Sequence, residues 1–260
     1  MSQWLTLVQK EILEMWRNYK WIWVPITFIL LGVTEPLTSY YLPQILDSLG
    51  GLPDGTKIEI PIPSAQEVLA AGLGQYSTIG VLIIVLSTMG LIAGERKSGV
   101  AAMILVKPVS YLSYVTAKWA GSLLLVWLSF FIGYFATWYY TGQLFEWVPI
   151  GEFFLSYLLY GLWLTVILTI TVFFSSSLIT PGMAGFSSLA LVLILSIVSG
   201  TLSHLLEWSP AQLTSYASVG LVTGELPEHT LPASLLAAAI IMTLLWLSVI
   251  IFKKKELATT

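Results

Sequence analysis

The chain contains no cysteine, which excludes disulfides, thiolate metal sites, iron–sulfur clusters and cysteine nucleophiles. Its two histidines, His204 and His229, are too few for a histidine-rich metal centre, and neither belongs to a His-Glu-x-x-His pair that would place two imidazoles on one helix face. Ser199 and Ser203 lie close to His204, but no Gly-x-Ser-x-Gly elbow accompanies them, so hydrolase chemistry has no support there. A phosphate-binding loop is missing too. Gly50 and Gly55 have the spacing of one, yet Thr56 precedes Lys57 where a lysine and then a hydroxyl are needed to reach phosphate and magnesium. Charge is scarce, at 10% of residues against about a quarter in soluble domains. The net charge of -3 is too small to draw nucleic acid.

Apolar residues are abundant. They make up 57% of the 260 residues, and the mean hydropathy is +0.85. No soluble core of this length can hide that much apolar surface, which leaves lipid as the solvent. A bilayer-spanning helix needs about 20 mostly apolar residues. Six windows meet that requirement, near Trp21 to Tyr41, Tyr76 to Gly94, Ala120 to Thr141, Phe153 to Ser175, Gly182 to Leu205, and Leu231 to Phe252. The expected fold class is an all-α membrane protein forming one transmembrane domain over residues 1–260. Gly90 and Gly94, and the Gly182, Ala184, Gly185, Ser187 and Ser188 run, read as helix-packing surfaces. Most Trp and Tyr residues read as interfacial belts, with Trp4, Trp16, Trp21 and Trp23 at one surface and Trp138, Tyr139, Tyr140 and Trp147 at the other.

Ahead of the first span, Trp4, Val8, Ile12, Met15, Trp16 and Tyr19 recur at helical spacing, while Gln9, Lys10, Glu14, Arg17 and Asn18 gather on another face. Residues 1–20 therefore read as an interfacial helix along the membrane surface, carrying Lys10, Glu11 and Arg17. Ten of the eleven basic residues flank the first span on its N-terminal side, lie between the second and third spans, or follow the sixth. Only Lys57 lies opposite, and ten of the fourteen acidic residues lie toward that opposite side. By the positive-inside rule both termini are cytoplasmic, which six spans require, and the expected location is the cell membrane.

The outer segment Leu42 to Gln75 is rich in Gly and Pro, with an Asp54-Gly55 turn, an extended run over Lys57 to Ile62 and a possible helix start at Ser64. Residues 206–230 are too polar for a further span and form an extracellular segment, re-entrant over Ala211 to Val222 if protein covers its backbone. Glu35 is the one carboxylate inside a span, about 21 Å along the helix from Trp21, and precedes Pro36. That depth favours a solvated outer helix end over a polar site in a transport path.

Between the second and third spans, residues 95–119 hold Glu95, Arg96, Lys97 and Gly99, a helical run over Val100 to Val106, and then Lys107-Pro108-Val109-Ser110. Pro108 disfavours helix at Lys107, so a short helix between charged ends is expected. By spacing alone this is equally a headgroup-binding basic loop or a force-transmitting element. The Lys10-Glu11 start, the Glu95-Arg96 pair with Gly99, and Lys107-Pro108-Val109-Ser110 with a later Lys118 resemble the ABC-2 type transporter permease, along essentially the whole chain. Family members often carry Thr after the glycine, an acidic residue soon after it and Arg after Pro-Val-Ser; this chain has Val100, Ala102 and Tyr111 there.

The resemblance implies that residues 95–119 form a coupling segment on which Glu95, Arg96, Gly99, Lys107 and Pro108 contact a separate ATPase. It implies two cytoplasmic ATPase subunits as partners, a second permease copy or homologue beside this chain, and export as the direction of transport. ATP and magnesium would sit on the partner, with no cofactor here and no enzymatic site. A non-transporting scaffold or sensor and a stand-alone ion-coupled carrier are the alternatives; the second would show midplane charges or paired broken helices, which the sequence does not display.

Overall fold

The computed structural model describes residues 3–48, 63–106 and 109–257, all helix and connecting turns. The Asp54-Gly55 turn and the Lys57 to Ile62 run lie outside the described residues. Helix α1 (Gln3–Arg17) leads into α2 (Lys20–Ser48) through a sharp turn at Tyr19, whose φ of 57° is left-handed. The second span is composite. It comprises α3 (Ala65–Gln75), a π-helical turn over Tyr76–Gly80, α4 (Val81–Thr88) and, past a break, α5 (Ala93–Lys97). Short α6 (Val100–Leu105) follows Gly99, and then come α7 (Tyr111–Leu144), α8 (Ile150–Ser177), α9 (Pro181–Thr201), α10 (Leu213–Thr223) and α11 (Thr230–Leu257). Six of these stretches are long and apolar enough to cross a membrane, as expected.

Local chemistry sets several boundaries. Ser64 caps α3 and forms a reciprocal box with Glu67, so helix starts at Ala65, upstream of the apolar run that begins near Tyr76. Ser110 caps α7 at Ser113 N–H. Pro181 opens α9, where its missing N–H costs nothing. Gly99 and Gly224 take the left-handed conformation, with φ of 78° before α6 and 73° after α10. Pro25, Pro36 and Pro43 lie within α2, which nonetheless continues past them.

The central element is α8, with 78% of its apolar window buried, whereas α2, α9 and α11 turn most of their surface outward. Helix α2 runs against α7, and the crossing is very close: a Cβ at Gly32 would stand 2.3 Å from Gly133 O, and one at Gly133 would stand 2.6 Å from Phe28 O. Between α3, α7 and α8 lies an aromatic core of Tyr76, Phe130, Tyr134, Tyr157 and Tyr160. Its hydroxyls are satisfied internally, Tyr134 with Ser156 at 2.7 Å, Tyr160 with Ser77 at 2.8 Å and Tyr76 to Phe28 O at 3.1 Å. These tyrosines are core residues; interfacial exposure holds for Tyr139, Tyr140 and Trp147. Helix α10 packs on α3 and α8 through Leu213, Ala217 and Leu221, and buried Gln212 donates to Ser199 O at 2.7 Å, joining the segment to α9. The Ser199 hydroxyl is taken by Ser209 at 2.6 Å.

Candidate functional site at the basic end

Helices α1, α5 and α7 meet at the end of the bundle that carries most of the basic residues. Helix α1 is amphipathic, and its buried line is Val8, Glu11 and Met15. That line lies on α7, where Gly121 leaves room for it: a Cβ there would be 3.1 Å from Glu11 Cβ and 3.3 Å from Met15 Cε. On the flank of α1, Trp4 donates to Thr116 Oγ1 at 3.1 Å. A carboxylate in the middle of a buried stripe requires a cation. Lys118 supplies it from two turns inside α7, at 2.8 Å from Glu11 Oε1 and 2.9 Å from Glu95 Oε1.

Glu95 reaches this point from α5. Its Oε1 also accepts from Lys10 at 2.5 Å, and its Oε2 accepts from the Tyr114 hydroxyl. Lys10 further bridges Glu11 at 2.9 Å and Glu14 at 2.7 Å. Glu11, Glu95 and Lys118 are 4%, 8% and 1% exposed, while Lys10 sits at the rim. Burial weighs against the Lys10 ammonium, but hydrogen bonds to Glu14 and Glu95 and the charge of Glu11 outweigh it and hold its pKa well above the ordinary lysine range. Lys118 also lies 5.2 Å above the Tyr114 ring, which stacks on Phe252 of α11 at 5.0 Å. Three helices thus converge on two ammonium groups, and α11 packs behind them against Tyr114.

Oxygens of Glu11, Glu14 and Glu95 lie within 4.8 Å of one another, a spacing that suits a cation ligand set. Lys10 and Lys118 already occupy the space between them, so ammonium groups offset most of the cluster's negative charge and leave no room for a further cation. Beside it a cleft of about 450 Å³ opens between α1, the start of α2 and the break in the second span, lined in part by Lys10, Glu14, Asn18, Lys20, Gly90 and Ser98.

The expected coupling residues separate into three groups. Glu95 is buried in the cluster and faces the chain's own α1 and α7. Arg96 turns the other way, its Nη1 donating to Ser176 O at 3.4 Å; Lys255 donates to Ser177 O, so two cations attend the carbonyl end of α8. Gly99 makes the left-handed step from α5 into α6, whose Val100 and Met103, with Val106 just beyond, are exposed, the last two by 73% and 88%. Lys107 and Pro108 lie outside the described residues. Of the interfacial set, Lys10 and Glu11 belong to the cluster, whereas Arg17 is exposed at the end of α1. Glu35 is remote from all of these; it accepts from Gln75 at 3.1 Å and Ser39 at 3.4 Å at the opposite end of the bundle.

Reading the sequence missed Tyr114 and Lys118 as site residues. Span windows chosen to avoid charge begin after Lys118 and so place it in a loop. The available signal was helical spacing: Tyr114 and Lys118 stand four apart beneath Gly121, on the face that receives Glu11.

A chain whose described residues are helices and connecting turns, six of the helical stretches being long and apolar enough to cross a membrane, with a charged, helix-bearing turn between the second and third, has the form of a transporter's membrane subunit. A sequence model described as "ABC-2 family transporter protein" matches residues 5–257. The chain is also 36% identical over 221 residues to the "Uncharacterized transmembrane protein YxlG" of Bacillus subtilis (strain 168), covering 85% of this chain and 86% of that protein. The chain belongs to the ABC-2 transporter family, as a multi-pass membrane permease.

Proposed function

We propose that this permease exports its substrate with energy from ATP hydrolysed by two cytoplasmic ATPase subunits, and that it works beside a second permease copy or homologue in the cell membrane. The supporting observation is the buried ion cluster next to exposed α6. A push on α6 from a bound subunit passes through Gly99 into α5, and Glu95 carries it through Lys10 and Lys118 to α1 and α7. Buried ion pairs resist being pulled apart, because separation strands a charge in a medium that solvates it poorly. The contact with the ATPase then falls to the apolar surface of Met103 and Val106, with Glu95 acting behind it. ATP and magnesium belong to the partner, since this chain carries no phosphate-binding loop. With both termini cytoplasmic, the basic end faces the ATPases.

Tagging the chain, extracting it in mild detergent and identifying what accompanies it tests this reading. A Walker-type ATPase is expected to co-purify with the wild type and to be lost from Met103→Asp, while Met103→Leu retains it. Absence of any such ATPase from the wild-type preparation, or a partner ATPase whose turnover is indifferent to this chain, would favour a scaffold and refute the proposal.

A further inference from the structure

The second span stops being a regular helix four residues before Ala93. Met89 N–H still closes on Val85 O at 2.8 Å, but Leu91 N–H tightens to Thr88 O, and the N–H groups of Ile92 and Ala93 leave the helix altogether. Both are received by one oxygen, Ser175 Oγ on α8, at 3.0 and 3.1 Å. The same hydroxyl donates to Met89 O at 2.8 Å, across the break. A serine hydroxyl has one proton and two lone pairs, so its whole hydrogen-bonding capacity is spent on this one interruption. Ser175 is fully buried. On the opposite side, Lys20 of α2 donates to Ser87 O at 2.7 Å, satisfying another carbonyl just ahead of the break.

The surroundings leave this junction uncrowded where it bends. A Cβ on Gly90 would be no nearer than 3.8 Å to Pro181, and one on Gly94 would be 3.9 Å away. Gly185 of α9 forms the notch that admits Met89, since a Cβ there would lie 2.6 Å from its Sδ. Irregular backbone at membrane depth persists only where protein satisfies it, and here the satisfaction comes from side chains of other helices. Those bonds can be exchanged without unravelling the span, as the i→i−4 ladder of a continuous helix cannot.

We infer that Ser175 is a positioning residue that clasps a joint at Met89–Ile92, about which α5 turns as one body with α1, α6 and the Lys118 end of α7 while α4 stays with the outer part of the bundle. This inference rests on the permease reading for the force that works the joint, but the joint itself is a property of the single chain. It makes Ser175 the place where the coupling movement is held in register with α8, the central helix.

The absence of native cysteine permits specific labelling on either side of the break. Exposed Leu82 and Lys97 are replaced by Cys and spin-labelled in the full chain in nanodiscs, with Cα positions about 22 Å apart if the span were straight. The otherwise unmodified chain is expected to give one narrow distance distribution. Ser175→Ala is expected at least to double its width, and Ser175→Thr, which keeps the oxygen, to restore it. An unchanged distribution in Ser175→Ala overturns the clasp. Hydrogen exchange of the unsubstituted chain needs no variant to fold: the amides of Ile92 and Ala93 should open separately from those of Val81–Thr88, and opening only together with them also overturns it. With the ATPase bound, ATP should shift the Leu82–Lys97 distance by one defined step; Ser175→Ala should keep ATP hydrolysis within twofold and blur that step to at least twice its width, with Ser175→Thr near wild type. An equally sharp ATP-driven step in Ser175→Ala refutes the coupling role. Failure to find any ATPase sinks the ATP-driven reading, whereas an unaltered distance distribution sinks the joint alone.

Discussion

Removing the charge of Lys118 while keeping its volume isolates the cluster from the packing around it. Lys118→Met replaces the ammonium by a thioether on an unbranched stem of similar length, so the contacts of α7 should survive. What changes is the charge inventory. The five groups Lys10, Lys118, Glu11, Glu14 and Glu95 carry one net negative charge in their ordinary states, and the substitution makes it two. Glu11 keeps only Lys10, already shared with Glu14 and Glu95, and both Glu11 and Glu95 are too buried for water to compensate. Breaking a buried pair by deleting one partner costs about 3–5 kcal/mol. That is of the order of a third of a typical net stability of about 5–15 kcal/mol. The expected loss should be visible as an earlier midpoint on titration with a denaturing detergent, together with faster proteolytic release of α1 near exposed Arg17. Adding Glu11→Gln removes the stranded carboxylate and should recover about 1–3 kcal/mol of the loss, a coupling a double-mutant cycle resolves. A single-variant loss below about 1 kcal/mol, or a double variant no better than the sum of its parts, would refute the view that Lys118 neutralises buried carboxylates.

The α2–α7 crossing should tolerate nothing larger than glycine at Gly133, since a Cβ there would meet Phe28 O at 2.6 Å; Gly133→Val is expected to cost at least about 1–3 kcal/mol, read from the same detergent titration, and a neutral result refutes the close approach. Lys10 has a raised pKa in the folded chain, so its contribution is complete below the ordinary ammonium value of about 10.4 and is lost as pH climbs through the folded value. The difference in stability between wild type and Lys10→Met should therefore be flat from about pH 6 to 9 and shrink only in strong alkali; a difference that vanishes near neutrality contradicts the assignment. A Cβ on Gly90 would stand 3.8 Å from Pro181 Cβ, which suits a disulfide. In Gly90→Cys with Pro181→Cys, mild oxidation should remove both thiols from maleimide labelling, and two persistently reactive thiols would refute the packing of the break on α9.

The six spans were legible because lipid imposes a length and an apolarity that the linear sequence states directly. Ser64 was legible as a helix start, and the structure adds the reason, a capping box with Glu67 that is local to the chain. The site was half legible. Glu95, Lys10 and Glu11 could be singled out as charges at a membrane boundary, but whether Glu95 faced a partner or its own chain depends on where α1 lies, a contact between residues 85 positions apart. The break in the second span had no sequence signature either. Gly90 and Gly94 read as a packing pair, and they do face Pro181, yet the interruption is sustained by Ser175, an ordinary serine at the end of another span. Tyrosines behaved similarly: their amphipathic character suits an interface, but Tyr76, Tyr134 and Tyr160 found partners in Thr137, Ser156 and Ser77 and were buried.

An apolar stripe alone would hold α1 against α7 with little regard for its register, because apolar contact is non-directional and one turn of sliding changes it modestly. Ion pairs at 2.5 to 2.9 Å remove that freedom, since displacing α1 by one helical turn moves Glu11 and Lys10 about 5 Å from their partners. Well-packed hydrophobic residues can equal or exceed a buried ion triad in stability, so stability alone does not account for charge at this position. Directionality does. A helix lying at the surface, tied by Lys10 to α5 and by Glu11 to α7, must follow any rotation of the Ala93–Lys97 piece and cannot absorb it by slipping. The same logic explains why the tie is made at Glu95 and not on α6: the ions sit behind the exposed apolar helix, where water cannot compete for them, and its outer face stays exposed.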